Sequence, residues 1–574
     1  MKAKILQSLT LCVTALFMLP GPSAAQTGAT ETQTQATGAD VTALKSQLVE
    51  QQKQIDQLKL ALEEQRKLIE QSLKAGASGD KAKQDFALPR DKALGEVAST
   101  TPIIPAAPPI APALSATPSV APLGNAAQSG PGDTSPLQLK IGDAYITPVG
   151  FLDFTSVYRS HDAGNGIGTN FGSIPYGPNV YQDRLSEERL SMQNSRIGFR
   201  VDALVHDAHV IGYMEADFLG NNAASVAVTS NSNTLRSRLY WVDVRKNHWE
   251  LLGGQTWSLI TPGRTGISPL PSNIFYSQNI DVDYQAGLTW GRIPELRVVG
   301  HFADDKIHFA LALDQQEMYV GGSGGGGTVV FPSNLTATYP GGELNNAATT
   351  LNAPAVFPDT IAKLAFDPNS KVHFEIGGVV REFRVYNPNN LQHFTSTGGG
   401  GGFANLNFEL FPGFRLLTNN YWSDGGGRYI FGLAPDLAAN SNGSLSLLHS
   451  GSTVSGFEAN WKNTLFYGYY GGVLIGRDTV IDTTGKTPAL VGYGYIGSSS
   501  GDNRIIQEAT FGFNQTLWKD AKYGALNFMG QYSYLTRSPW YFNAAAGAAS
   551  DAALHMVFLD LRYTLPGSAP TIGH

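Results

Sequence analysis

Three short stretches of the chain set charged residues on one face of an extended backbone. In "NSRIGFRV" (194–201) and the Asp202 that follows, Arg196, Arg200 and Asp202 alternate with Ile197, Phe199 and Val201. In "TLRSRLYWVDV" (234–244) Arg236 and Arg238 share a face, and in "GYMEADFLG" (212–220) Tyr213, Glu215 and Asp217 share one. Arg297 lies in "ELRVVGHF", opposite Leu296 and Val298. Successive side chains of a strand point to opposite faces, so each charged set points one way and its apolar partners the other. Guanidinium is a planar, permanently charged fork suited to carboxylate or phosphate. A ladder of arginines opposing acids can therefore orient and pass an anionic solute. The same ladder can instead pair with its acids and stiffen a wall. The first reading is preferred, although residues 137–565 hold nineteen Arg and nine Lys against thirty-five acids. Local placement, and not total charge, must decide selectivity.

Other chemistries find little support. "GGSGG" (321–325) matches a nucleophile-elbow pattern but lies in a glycine-rich loop with no strand-to-helix turn. His206 and His209 flank a tight turn without a third ligand at metal spacing, which reads as solvated histidines. "GNGIGT" lacks the strand and helix of a phosphate loop. The expectation is no enzyme, no catalytic residue, no metal and no cofactor.

Composition indicates what the elements face. Charged residues make up 15% of the 574, aromatics 10%, and glycine numbers 64. Soluble domains carry roughly 25% charge, so much of this surface is expected not to face water. Lys2 and Lys4, the apolar run Leu9 to Leu19, then Pro20, Gly21 and Ser23 to Ala25 read as a signal peptide over 1–25. The only cysteine, Cys12, falls inside it, so the exported chain holds together without disulfides. A net charge of -7 with no basic block excludes a nucleic-acid partner.

A polar segment (26–40) precedes heptads over 41–75, where Val41, Leu48, Ile55, Leu62 and Ile69 recur every seven residues. This is a coiled coil of about 50 Å at 1.5 Å per residue, and its seam favours self-association, as a trimer in preference to a dimer. Residues 76–136, with "TPIIPAAPPIAPALSATPSVAP", form a Pro/Ala-rich linker. From 137 the period becomes two: "IHFALALD" sets Ile307, Phe309, Leu311 and Leu313 against His308, Ala310, Ala312 and Asp314. Short breaks such as "HDA" (206–208), "KNH" (246–248) and "DDK" (304–306) alternate with long loops at 159–194, 220–234, 258–295, 315–360, 387–402, 425–455, 476–503 and 537–553. Short turns at one end and long loops at the other are the pattern of an outer-membrane barrel. The fold class is thus all-β: a 16-stranded antiparallel transmembrane β-barrel over 137–566, preferred over fourteen or eighteen strands, with an N-terminal periplasmic α-helical coiled coil and a tail at 567–574. Trp241, Trp257, Trp461, Tyr467 and Tyr469 are candidates for its interfacial girdle. In such a barrel Arg196, Arg200, Glu215, Asp217, Arg236, Arg238 and Arg297 are expected to line the pore.

"NSRIGFRV", "GYMEADFLG", "TLRSRLYWVDV", "LLGGQTWSLI" (251–260) and "LRYTLP" (561–566) resemble the DcaP-like porins, relatives of the phosphate-selective porins. The resemblance implies a homotrimer of sixteen-stranded channels in the outer membrane that admits small anions, dicarboxylates in particular. It also implies that the third long loop, 258–295, folds into the barrel, which makes Arg264, Asp281, Asp283 and Arg292 constriction residues. The chain departs from the family where Pro566 to His574 follow the last strand, which places its insertion signal at Tyr563, and in the glycine-rich 315–360 loop. The competing reading is an envelope tether, with the barrel as a lipid anchor and the coiled coil reaching toward peptidoglycan.

Overall fold

The computed structural model describes residues 137–566, apart from 143, 164–165, 178–179, 221–233, 270–278, 323–324, 340–342, 345–356 and 390–392. The expected signal peptide, polar segment, coiled coil, linker and tail fall on residues 1–136 and 567–574, outside the described residues. Sixteen long strands alternate in direction: β1 (Ala144–Arg159), β2 (Arg196–Val205), β3 (Ala208–Asp217), β4 (Arg236–Lys246), β5 (Trp249–Trp257) and β6 (Arg292–Phe302). They continue as β7 (Ile307–Asp314), β8 (Asp359–Asn369), β9 (Val372–Tyr386), β10 (Phe394–Phe411) and β11 (Phe414–Asp424). The last five are β12 (His449–Trp461), β13 (Thr464–Ile475), β14 (Asn503–Asp520), β15 (Gly524–Pro539) and β16 (Ala552–Thr564).

Strand β16 pairs back onto β1, from Phe151↔Thr564 to Arg159↔Met556, and this closes the sheet into a barrel. Closure pairs every strand on both sides, which lipid demands of any backbone that crosses it. Two short strands patch the seam. Leu139–Ile141 pairs with β1 below the end of β16, and Glu187–Ser191 continues the line of β2 along the upper half of β1.

The period-two pattern sorts the wall. Ile307, Phe309, Leu311 and Leu313 point outward and stay exposed, whereas His308, Ala310, Ala312 and Asp314 point inward and are buried. Leu152, Phe154, Ile197, Phe199, Tyr240 and Val242 continue the apolar outer band. Of the girdle candidates only Trp461 is exposed on that face, at 65%; Trp241, Tyr467 and Tyr469 are buried on the inward register, and Trp257 is buried at the end of β5. The 387–402 loop is also shorter than expected. Residues 398–402 belong to β10, paired Glu382↔Gly398 through Gly378↔Gly402, because glycine can extend a ladder without showing any alternation. At Gly399 and Gly401 a Cβ would crowd Phe383 and Tyr421, which occupy the space inside.

Candidate functional site

The described parts of the loop between β5 and β6, residues 258–269 and 279–291, lie within the lumen. Its backbone amides reach the wall at widely separated strands: Gly266 N donates to Asp367 of β8 at 2.8 Å, and Gly263 N to Glu375 of β9 at 3.1 Å. Thr289 N donates to Asn419 of β11 at 3.1 Å and Ala286 N to Glu508 of β14 at 2.8 Å. Ile280 N reaches Gln531 of β15 at 3.4 Å. Near β12 and β13 the loop approaches backbone to backbone. Gly287 holds a left-handed φ of 92°, where a Cβ would stand 2.4 Å from the Thr453 carbonyl oxygen. An inward register lined by carboxylates and amides thus supplies the acceptors that an aperiodic loop needs for its own N–H groups.

Four arginines gather where this loop meets β2, β4 and β6. Arg238 donates from Nε to Glu215 at 2.7 Å, from Nη1 to Asp217 at 2.8 Å and from Nη2 to the Tyr284 hydroxyl at 3.1 Å. Arg236 holds Asp217 in a two-pronged contact of 3.0 and 2.8 Å. Arg196 donates to the same Tyr284 oxygen at 3.4 Å and stands 3.7 Å from Glu215. Arg292 stacks over Trp257 and Trp290, with centroid distances of 5.4 and 5.3 Å, and makes no ion pair with a carboxylate among the described residues. It is the first residue of β6, so the expected loop ends at residue 291 and Arg292 belongs to the wall.

The electrostatics follow from that crowding. Burial alone raises a phenol, yet Arg238, Arg196 and Arg292 outweigh it and hold Tyr284 below its ordinary value. Burial first, and then the neighbouring Asp281, push Asp283 up to about 8 against the pull of Arg236, Arg159 and Arg292. At neutral pH the cluster therefore sets four guanidiniums against the carboxylates of Glu215 and Asp217, with Asp283 protonated. Trp257, Tyr284 and Trp290 form edge-to-face pairs 5.3 to 6.4 Å apart beneath it, a rigid apolar floor.

The remaining expected residues face inward but are engaged elsewhere. Arg200 clasps Asp202 of its own strand with two bonds of 2.7 Å. Arg297 pairs with Glu295 at 2.6 Å. Arg264 is locked onto Glu458 of β12 by bonds of 2.8 and 2.6 Å, so it fastens the loop to the wall. Asp281 accepts the amides of Thr169 and Asp283. His209, read as solvated, is 4% exposed and lies 3.3 Å from Asp202. Sequence reasoning missed Tyr284 and Trp290, which sit in an aperiodic stretch and carry no period to flag them.

No protein-family model and no curated protein matches the chain. Among solved structures it is similar to the outer-membrane channel DcaP of Acinetobacter baumannii, with a TM-score of 0.52 at 15% identity over 74% of this chain and 99% of that one. OmpF of Salmonella typhi, solved in complex with daunomycin, matches at a TM-score of 0.40 and 8% identity, covering 74% of this chain and 100% of its own. OmpT of Vibrio cholerae matches at 0.38 and 10% identity, covering 74% and 99%. The chain thus has the porin fold, a closed sixteen-stranded barrel similar to that of the DcaP channel, in line with the resemblance its strand motifs carry.

Proposed function

We propose that the protein is an outer-membrane diffusion channel for small anionic solutes of the dicarboxylate class, which pass the cluster of Arg196, Arg236, Arg238 and Arg292. The observation that carries this reading is Arg292. A guanidinium packed against the same side of two indole rings, with no carboxylate partner and no side-chain hydrogen bond among the described residues, offers its N–H edges to a planar anion. Arg196 and Arg236 remain partly exposed beside it, at 15% and 39% of their side chains, while Arg200, Arg264 and Arg297 are neutralised in buried pairs. Reversal potentials across planar bilayers under a potassium chloride gradient test the proposal. Anion preference in the wild type, reduced in Arg292→Gln, is the expected result; cation preference in the wild type, or no conductance, would overturn it.

The working unit we propose is a self-associated one, a homotrimer joined through the outward face of β10–β14. There the chain presents a groove of about 740 Å³ lined by Gly402, Ala404, Gly451 and Gly472. Around it Asn420 bonds Thr418 and Thr453 at 3.0 and 2.9 Å, and Thr418 meets Ser455 at 2.9 Å. Polar groups on an outer wall are poorly served by hydrocarbon, and a second copy of this chain would cover them.

A further inference from the structure

A second constellation lies at the short-turn end of the lumen, away from the arginine cluster. His301 of β6 and His308 of β7 are direct cross-strand partners on the inward register, and Asp305 stands in the turn that joins them. The two Nδ1 atoms face each other at 3.1 Å, and the Asp305 carboxylate lies 3.2 Å from Nδ1 of His301. Ligand atoms of all three residues lie within 4.8 Å of one another.

The outer nitrogens decide what the inner ones can be. Nε2 of His301 meets Oε1 of Glu250 at 2.9 Å, and Nε2 of His308 meets the Asp305 carbonyl oxygen at 2.9 Å. The carbonyl oxygen can only accept, and so can the carboxylate when ionised, which assigns the proton of each ring to Nε2. Both Nδ1 atoms then direct lone pairs at one another, beside a carboxylate oxygen. That arrangement requires a cation between them. A proton joins two of the three atoms, whereas a metal ion satisfies all three. The 3.1 Å separation is close to the roughly 3.3 Å between ligands held at about 2.0 Å in a tetrahedral site. Glu250 behind His301 is the carboxylate that commonly orients a metal-bound imidazole.

We propose that His301, His308 and Asp305 form a binding site for a divalent first-row transition ion of the zinc class. Two imidazole nitrogens exclude calcium and magnesium, which take oxygen ligands. A fourth position remains for water, reached past Asp305, whose side chain keeps 20% of its surface exposed. The site touches the lumen loop as well. Asp367, which accepts the Gly266 amide at 2.8 Å, lies 3.5 Å from Nε2 of His308. An ion here clamps the β6–β7 turn and, through His308 and Asp367, steadies the loop at Gly266. The inference is independent of which solute the channel passes.

The test is calorimetric titration of zinc chloride into the untagged, chelator-treated full-length protein in detergent, with heat-modifiable gel migration as the check of folding. About one equivalent per chain is expected, with saturation lost in His301→Ala and in His308→Ala and retained in His449→Ala, at the first residue of β12. Glu250→Gln should bind about tenfold more weakly, the scale of a lost outer-shell partner. No zinc uptake by the folded wild type would overturn the proposal and assign the cation as a shared proton. Uptake that survives both histidine variants would overturn it equally.

Discussion

Arg238 and Tyr284 join wall to loop: Nη2 of Arg238, on β4, donates to the Tyr284 phenol oxygen at 3.1 Å from inside the lumen. That oxygen also receives Arg196 at 3.4 Å, so one neutral hydroxyl separates two cations. Tyr284→Phe removes the acceptor and leaves Arg238 its bonds to Glu215 and Asp217. A hydrogen bond to a charged group contributes about 1.5–3 kcal/mol, so a loss on that order is expected in denaturant unfolding. Anion preference should hold or rise, since the guanidinium N–H groups are freed. Inversion to cation preference in bilayer recordings would contradict the geometry.

Asp283 carries a pH dependence whose sign can be worked out. Its value of about 8 lies above the ordinary carboxylate range, so the folded protein keeps this proton through neutral pH. Below about pH 8 the residue is neutral; above it a negative charge appears near Arg236 and Arg292. Anion preference should therefore fall between about pH 7 and 9 and stay level in Asp283→Asn. Stability follows the same direction. The contribution of this group is full below the unfolded value of about 4 and is lost as pH rises through 8. A wild-type selectivity that is flat over that range, or a slope that persists in Asp283→Asn, would show that another group titrates.

Arg264 and Glu458 form a buried two-pronged pair that also accepts the Tyr469 hydroxyl at 2.8 Å. Removing one partner of a buried pair costs about 3–5 kcal/mol, because the other charge is left without compensation. Glu458→Gln should thus release the 258–291 loop, raise open-channel current noise and expose the loop to protease, with the barrel still heat-modifiable. Arg264→Leu combined with Glu458→Leu should recover part of the loss. Currents and cleavage unchanged in Glu458→Gln would remove the anchoring role.

Legibility in the sequence follows side-chain alternation. "IHFALALD" announces which face of β7 meets lipid because large apolar groups alternate with small or polar ones. Residues 398–402 hide a strand because glycine has nothing to alternate. Alternation also places Arg200 on the inward face, whereas Arg238, of the same parity as the outward Tyr240 and Val242, turns inward because the β3–β4 register shifts between Glu215 and Ala216; nor can alternation choose partners. Arg200 turns to Asp202 two residues along, whereas Arg238 reaches across to β3 and to the loop. The path of residues 258–291 has no periodic signature, and the resemblance to porins alone indicated it. His301 and His308 were readable as inward cross-strand positions flanking "DDK", but only the folded turn brings Asp305 to them.

The outward groove gives a test of self-association that leaves the lumen alone. Ala404 faces outward on β10, between the small residues that line the groove and the Asn420 network on β11. A tryptophan there fills the concavity without entering the core, so the barrel should still close and migrate as a heat-modifiable band. If a second copy seats on this face, Ala404→Trp shifts the detergent-solubilised assembly from trimer toward monomer in light scattering, while the thermal transition of the barrel itself moves little. Asn420→Leu should act more weakly in the same direction, since it removes the shared hydrogen bonds but keeps the shape. A trimer that persists in both variants would mean that copies meet elsewhere, and that the polar network is satisfied within a single wall.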